Sequence, residues 1–474
     1  MDPIPAPLEL ELALAPSSLA ALRRRLALGR AGPLALEWHD RDGILARSGI
    51  AVAQTQERGA AAWQARALAP AVIAAAPPLL ATAPSLTLLD APGLPDGLAP
   101  VQHFAGRQRT GRAGPVALHL LDGTIGAEGT PAARLTLRGP TAETAALARA
   151  LVAEAGLHVP HASLAHTALA LAGLAVPPPP AGPAVLAAGL SPGDAFARAA
   201  GHLAAVLLPL APRAAAGETG EPVHQMRVAL RRLRSLIPLF ADAVACPELA
   251  ALRPALKQLA TALGPARDWD VFLSDTGPAV AAAFAHEPAM ATLLAAAEAH
   301  RSAAYAALAP LLTGPVLHGL VLDVAIAVQT RPWAHDIPGD LAGFTAAQLA
   351  RRLRPVIRRA AAPHGKDDAA LHALRLKTKR LRYAAEIYAP LHPGPPARRF
   401  LRRLAALQDA LGLLNDGAVA AALMHELAEA GGNALAGGMV RGFVAAHAQG
   451  ARKAIGRSWR RLRKAARSLP APPP

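Results

Sequence analysis

His224-Gln225-Met226-Arg227-Val228-Ala229-Leu230-Arg231-Arg232-Leu233-Arg234 returns in pattern as His372-Ala373-Leu374-Arg375-Leu376-Lys377-Thr378-Lys379-Arg380-Leu381-Arg382. The two stretches stand 148 residues apart. A second pair keeps that offset: Ala262-Leu263-Gly264 runs on to Arg267-Asp268 and Val271, and Ala410-Leu411-Gly412 runs on to Asn415-Asp416 and Val419. Two separate segments in one register indicate a duplicated unit. Its apolar residues recur at three-and-four spacing, and no alternating strand of useful length follows residue 191, so residues 191–474 read as all-α.

In a helix of this sequence, positions i, i+3, i+7 and i+10 fall within an arc of about 80°. His224, Arg227, Arg231 and Arg234 therefore form one stripe, and His372, Arg375, Lys379 and Arg382 form its copy. Met226, Leu230, Leu233 and Ile237 take a different arc, as do Leu374, Thr378, Leu381 and Ala385, which makes both helices amphipathic with the cations beside the core side. Arg232, Arg380 and Lys377 are secondary candidates for the same chemistry. A solvated basic face is the ordinary fate of such a run, and a lone helical histidine is more often packed than ligating. Solvated faces usually intersperse acids at i, i+4, yet Val223 to Ala241 contains none. Two such stripes brought together by duplication repel each other unless an anion lies between them.

The charge agrees. The 474 residues carry 49 Lys and Arg against 33 Asp and Glu, a formal net of +16, and nearly all of the surplus lies after residue 190. A protein so basic is not indifferent to polyanions. A single cysteine, Cys246, excludes a disulfide scaffold and a cysteine-based zinc site. The amino terminus has no basic segment ahead of an apolar run, so export is not indicated. The uncharged stretch from Ala67 to Leu89 is broken by Pro70, Pro77, Pro78 and Pro84 and reads as loop and turn material, not a membrane helix. A cytoplasmic protein without membrane insertion is expected.

Length alone suggests two or three domains. Residues 176–190, opening with Val176-Pro177-Pro178-Pro179-Pro180, read as a proline-rich linker. Ahead of it, residues 1–175 are expected to form an antiparallel α+β domain, barrel-like. Leu8-Glu9-Leu10-Glu11-Leu12-Ala13-Leu14 alternates strictly, with four leucines on one face and Glu9, Glu11 and Ala13 on the other. Further strands are expected around Ile50–Gln56, Trp63–Leu68, Val116–Leu121 and Arg134–Arg138, with Asp122-Gly123 as a turn and a helix over Thr141–Ala155.

Paired carboxylates on a first strand resemble the opening of the CYTH family, the triphosphate tunnel metalloenzymes, whose signature there is Glu-x-Glu-x-Lys. Trp38-His39-Asp40 with Leu45-Ala46-Arg47-Ser48-Gly49-Ile50 is similar to that family's aspartate turn and the stretch after it. The resemblance implies a Mg²⁺ site on Glu9 and Glu11. The chemistry around it is depleted: Ala13 stands at the lysine position, Ala53 and Thr55 where paired arginines would grip a triphosphate, and Arg134, Thr136 and Arg138 where acidic metal ligands would be. Triphosphate hydrolysis needs Mg²⁺ on carboxylates and cations on the phosphoryl oxygens. A degenerate, non-hydrolytic CYTH-like domain without a cofactor is therefore expected, with Mg²⁺ bound only if that domain is active.

The repeated His-x-x-Arg-x-x-x-Arg/Lys-Arg-x-Arg block, followed each time by Leu-Gly and Arg/Asn-Asp, resembles the CHAD family, the conserved histidine α-helical domain. The resemblance implies two helical bundles about a pseudo-two-fold axis and a basic central cavity that takes inorganic polyphosphate. The expected function is non-catalytic polyphosphate binding, in association with polyphosphate granules. Two alternatives stand beside it: a Mg²⁺-dependent phosphohydrolase acting on triphosphate or polyphosphate through Glu9 and Glu11, and a nonspecific nucleic-acid or anionic-surface binder. Aromatics are only 3% of the chain, which argues against a stacking platform for single strands. The arginines and lysines from Arg452 to Arg467 form a further basic helix that either extends the site or is a solvated tail.

Overall fold

The computed structural model describes residues 7–57, 60–68, 79–83, 96–174, 182–333, 340–359 and 367–469. They fold into two compact units: residues 1–182 with 200–212 and 311–332, and residues 183–199 with 213–310 and 333–474.

The first unit is built on one curled antiparallel sheet. Its strands are β1 (Leu8–Ala13), β2 (Gly32–Asp40), β3 (Ile50–Glu57), β4 (Ala60–Ala67), β5 (Leu79–Ala83), β6 (Ala99–Ala113), β7 (Val116–Ile125) and β8 (Thr130–Gly139), in spatial order β1-β8-β7-β6-β2-β3-β4-β5. Short helices α1 (Leu19–Arg25) and α2 (Ile44–Arg47) sit between the early strands, and α3 (Thr141–Glu154) and α4 (Leu164–Leu171) follow the sheet. Leu8, Leu10, Leu12 and Leu14 are all buried, as the alternation requires. Trp38, Phe104, Leu164 and Leu169 share a core under α4. Asp40 caps the turn into α2, accepting from the backbone N–H of Leu45 at 3.2 Å and of Ala46 at 2.9 Å.

Two expectations change here. Asp122-Gly123 is no turn but lies inside β7, paired with Arg107 and Gly106 of β6. Glycine is needed because a Cβ at 123 would come within 2.8 Å of the Phe104 ring, so the residue marks a close approach of strands. The stretch Ala67–Leu89 holds a strand, β5, which pairs with β4; residues 69–78 and 84–95 lie outside the described residues. So do 175–181, the start of the proline-rich segment; residues 182–190 carry no helix or strand.

After residue 191 every described element is helical: α5 (Pro192–Ala216), α6 (Glu221–Leu239), α7 (Ala241–Val244), α8 (Pro247–Val271), α9 (Gly277–Ala283), α10 (Ala289–Thr313), α11 (Pro315–Thr330), α12 (Leu341–Arg359), α13 (Asp368–Leu391), α14 (Pro395–Glu429) and α15 (Ala434–Ala466). In the first unit, α11 packs on α3 and β1. In the second, α6 packs on α8 and α13 on α14, and α6 also meets α13. The two copies thus touch through their basic helices. They are not identical: a π turn over Phe272–Thr276 separates α8 from α9, whereas α14 passes the equivalent positions unbroken. Such turns inside helices often mark functional sites.

Helix α5 is long and apolar enough to cross a membrane, with 67% of that window buried inside the protein; α10 and α11 would pass the same test only as one span, and they are bent by 44°.

Candidate functional site

Helix α6 opens with Pro222 in its first turn and Glu221 at its positive end, a favourable start. Met226, Leu230 and Leu233 are buried and Ile237 is half-buried; in α13, Leu374, Thr378, Leu381 and Ala385 are all buried. That burial turns the adjoining cationic arcs toward each other. The start of α6 is held by a clamp. Arg301 of α10 donates from Nε to Asp270 of α8 at 2.8 Å and from Nη2 to the Gly217 carbonyl at 2.9 Å, while the Tyr305 hydroxyl donates to the other Asp270 oxygen at 2.8 Å.

Between the copies lies a cavity of about 240 Å³. Helix α6 contributes His224, Arg227 and Arg231, α8 contributes Arg267 and Asp268, α13 contributes Arg375 and Lys379, and α14 contributes Asn415 and Asp416; Asp275 and Thr276 of the π turn complete the polar wall. Four polar pairs are related by the 148-residue offset: Arg227 with Arg375, Arg231 with Lys379, Arg267 with Asn415, Asp268 with Asp416. Val271 and Val419, also in register, supply apolar wall.

Five of the eight primary candidates meet in this cavity: His224, Arg227, Arg231, Arg375 and Lys379. His372 lines a neighbouring cavity of about 490 Å³, which shares Arg375 and Asn415 with the first. Arg234 is exposed and lines neither. Arg382 donates to Glu386 at 2.8 Å and to Gln408 at 2.8 Å. Of the secondary candidates, Arg232 is tied to Glu386, Arg380 is exposed and Lys377 is half-buried outside both cavities. Arg267, Asp268, Asn415 and Asp416 were not among the sequence candidates, although their shared register was the signal that could have placed them there.

The electrostatics are those of a crowded cationic hollow. Burial, then Arg231, Arg375 and Arg227, bring the Lys379 ammonium down to about 7, against a smaller opposing effect of Asp416. Burial also lowers Arg227 and Arg375, each opposed by the acid of its own copy, Asp268 and Asp416 respectively. His224 is lowered by burial and by Arg267. The Asp268 carboxyl is raised by burial despite Arg227. Five cations face three carboxylates, so the cavity keeps a positive excess that an anion would relieve.

In the first unit, β1 and β8 put Glu9 opposite Arg138 and Ala13 opposite Arg134. Arg134 Nε stands 3.4 Å from Glu11 Oε1 and Arg138 Nε 3.8 Å from Glu9 Oε2. Burial raises the Glu11 carboxyl, with Arg134 opposing. This donor set does not fit Mg²⁺, because each of the two carboxylates already faces a guanidinium, a cation where further oxygen ligands would be needed. Among the described residues no group of three His, Cys, Asp or Glu is placed to hold a metal.

Fold and site together define a duplicated helical bundle enclosing a cationic cavity. The family model of the CHAD domain matches residues 197–425. The crystal structure of the CHAD domain from the plant Ricinus communis is 31% identical, with a TM-score of 0.53, covering 62% of this chain and 97% of that one. The chain belongs to the CHAD domain family. PptA from Streptomyces chartreusis matches at 18% identity and a TM-score of 0.40, over 56% of this chain and 98% of that one. A putative adenylate cyclase from Bacillus halodurans matches at 10% and 0.23, over 37% and 93%. Neither of these two likenesses bears on the function of this chain. No curated protein matches the chain.

Proposed function

We propose that this protein binds inorganic polyphosphate, without turning it over, in the cavity between α6 and α13. The observation that carries the reading is the convergence of Arg227 and Arg231 with Arg375 and Lys379 on one hollow. A flexible polymer with about one negative charge per phosphate is matched by cations and counterion release, with no call for base stacking. Among the described residues the sole aromatic in the wall besides His224 is Phe272, which favours such a polymer over single-stranded nucleic acid. Bidentate guanidinium donors suit phosphoryl oxygens. The amino-terminal sheet is read as a CYTH-like domain whose carboxylates have been taken over by arginines. The corresponding cellular picture is a cytoplasmic protein gathered on polyphosphate granules.

The test is calorimetric titration of the full chain with polyphosphate, and with duplex DNA at equal phosphate concentration as competitor. Polyphosphate should bind saturably and resist displacement. Equal displacement by both polymers would replace the reading with nonspecific electrostatics.

A further inference from the structure

Arg375 and Asn415 line both the central cavity and the second, larger one. That cavity is also lined by His372 and Asp368 of α13 and by Arg441 and Arg452 of α15. Arg452 pairs with Asp368, the only acid among the described residues of this wall. The floor is aliphatic, with Leu371, Leu411 and Val444. Cations of one sign over low-dielectric walls focus their field into the cleft.

The basic run at the end of the sequence continues this wall. After Glu429 the sequence holds no acidic residue. Arg441, Arg452 and Arg463 recur at 11-residue intervals, which is three helical turns, so they stand on one face of α15 about 16 Å apart. Arg441 and Arg463 are exposed. Arg463 lies over the Trp459 ring, 5.7 Å from its centroid. A solvated tail would not need its cations in line with a cavity.

We propose that the polyphosphate site is a track longer than its central cavity: the chain passes Arg375 and Asn415 into the second cavity and leaves along the Arg441–Arg452–Arg463 face of α15. This rests on the polyphosphate reading and adds a preference for longer chains. Tripolyphosphate engages the central cavity alone; a polymer of tens of phosphates also reaches α15.

The experiment compares both ligands on the full chain and on Arg441→Ala with Arg463→Ala, two exposed changes that leave the core untouched. Each exposed contact is worth about threefold in affinity. The double variant should lose about five- to tenfold for the long polymer, with a salt slope shallower by about 1.4 at about 0.7 per contact. Tripolyphosphate affinity should stay within about twofold, a change too small to reflect a lost contact. An unchanged affinity for the long polymer, or an equal loss for both ligands, overturns the track while leaving the central site in place. Absence of binding by the unmutated chain overturns the underlying reading itself.

Discussion

The Nε of Arg232 in the first basic helix donates to Glu386 Oε2 in the second at 3.1 Å. Arg382, within the second helix, takes the other oxygen of the same carboxylate at 2.8 Å. One half-buried acid thus ties the two copies together just outside the cavity, and it has no counterpart in the first copy, where Pro238 occupies the equivalent place. Glu386→Gln should cost about 1–3 kcal/mol, because two guanidinium groups lose their shared anion. Urea unfolding should show a lower midpoint at unchanged slope. No shift would mean the tie is incidental.

The cavity arginines should behave in the opposite way. Arg227→Ala with Arg375→Ala removes one half-buried cation from each copy, so polyphosphate affinity should fall and the salt slope should lessen by about 1.4, about 0.7 per contact. Helix content by circular dichroism should hold. Unfolding of the variant instead would assign these arginines to the structure.

Acids in the wall oppose the ligand. Asp268→Asn should tighten polyphosphate binding severalfold and raise the stability of the empty protein at neutral pH, since burial outweighs Arg227 at this carboxyl and a neutral amide sheds that cost. Titration and thermal unfolding of the same sample read both signs. A weaker complex would show that Asp268 orients Arg227 for the ligand.

Binding should take up protons. Lys379, at about 7 in the empty cavity, faces Arg231, Arg375, Arg227 and Asp416, and a phosphate chain favours its charged form. Affinity should therefore fall as pH rises through 7, by up to about tenfold per unit. His224, lowered from 6.5, titrates below this window. Lys379→Arg keeps its charge and should flatten the profile. Without ligand the sign reverses: the native value lies below the unfolded 10.5, so the unfolded chain binds more protons in between, and stability should rise from pH 7 upward. Calorimetry in buffers of different ionisation heat counts the protons.

Glu9 and Glu11 should support no hydrolysis. With Arg138 and Arg134 on them, phosphate release from tripolyphosphate in Mg²⁺ should stay at the blank. Release above the blank that vanishes in Glu9→Ala with Glu11→Ala would restore the enzyme reading.

How much of the molecule is legible in its sequence differs between the units. The duplication, the helices and their buried arcs emerge from spacing alone, because Met226 and Leu374 repeat the same amphipathic face. The i+10 position could not be read that way. An 80° arc says which side of a helix is cationic, not how far along it the partner helix stays close, so Arg234 and Arg382 end up outside the cavity that Arg227 and Arg231 enter. In the sheet, β1 was legible from its leucines. Strands β2 and β6 were not, since β6 buries only Phe104 among its fifteen residues and carries Gly106 and Gly111, which blur any alternation. Asp122-Gly123 has turn composition but answers to a tight crossing with Phe104, a constraint from another strand.

The π turn between α8 and α9, set against the unbroken α14, makes the two flanks of the cavity unequal. A linear phosphate polymer reads the same from either terminus, but the proposed seat does not: Asp275 of the π turn lines one flank and Leu423 of α14 takes the equivalent place on the other. On the proposed function, a chain lodged there would acquire a direction. Any enzyme that trims such polymers from their tips would then meet two ends in unlike surroundings.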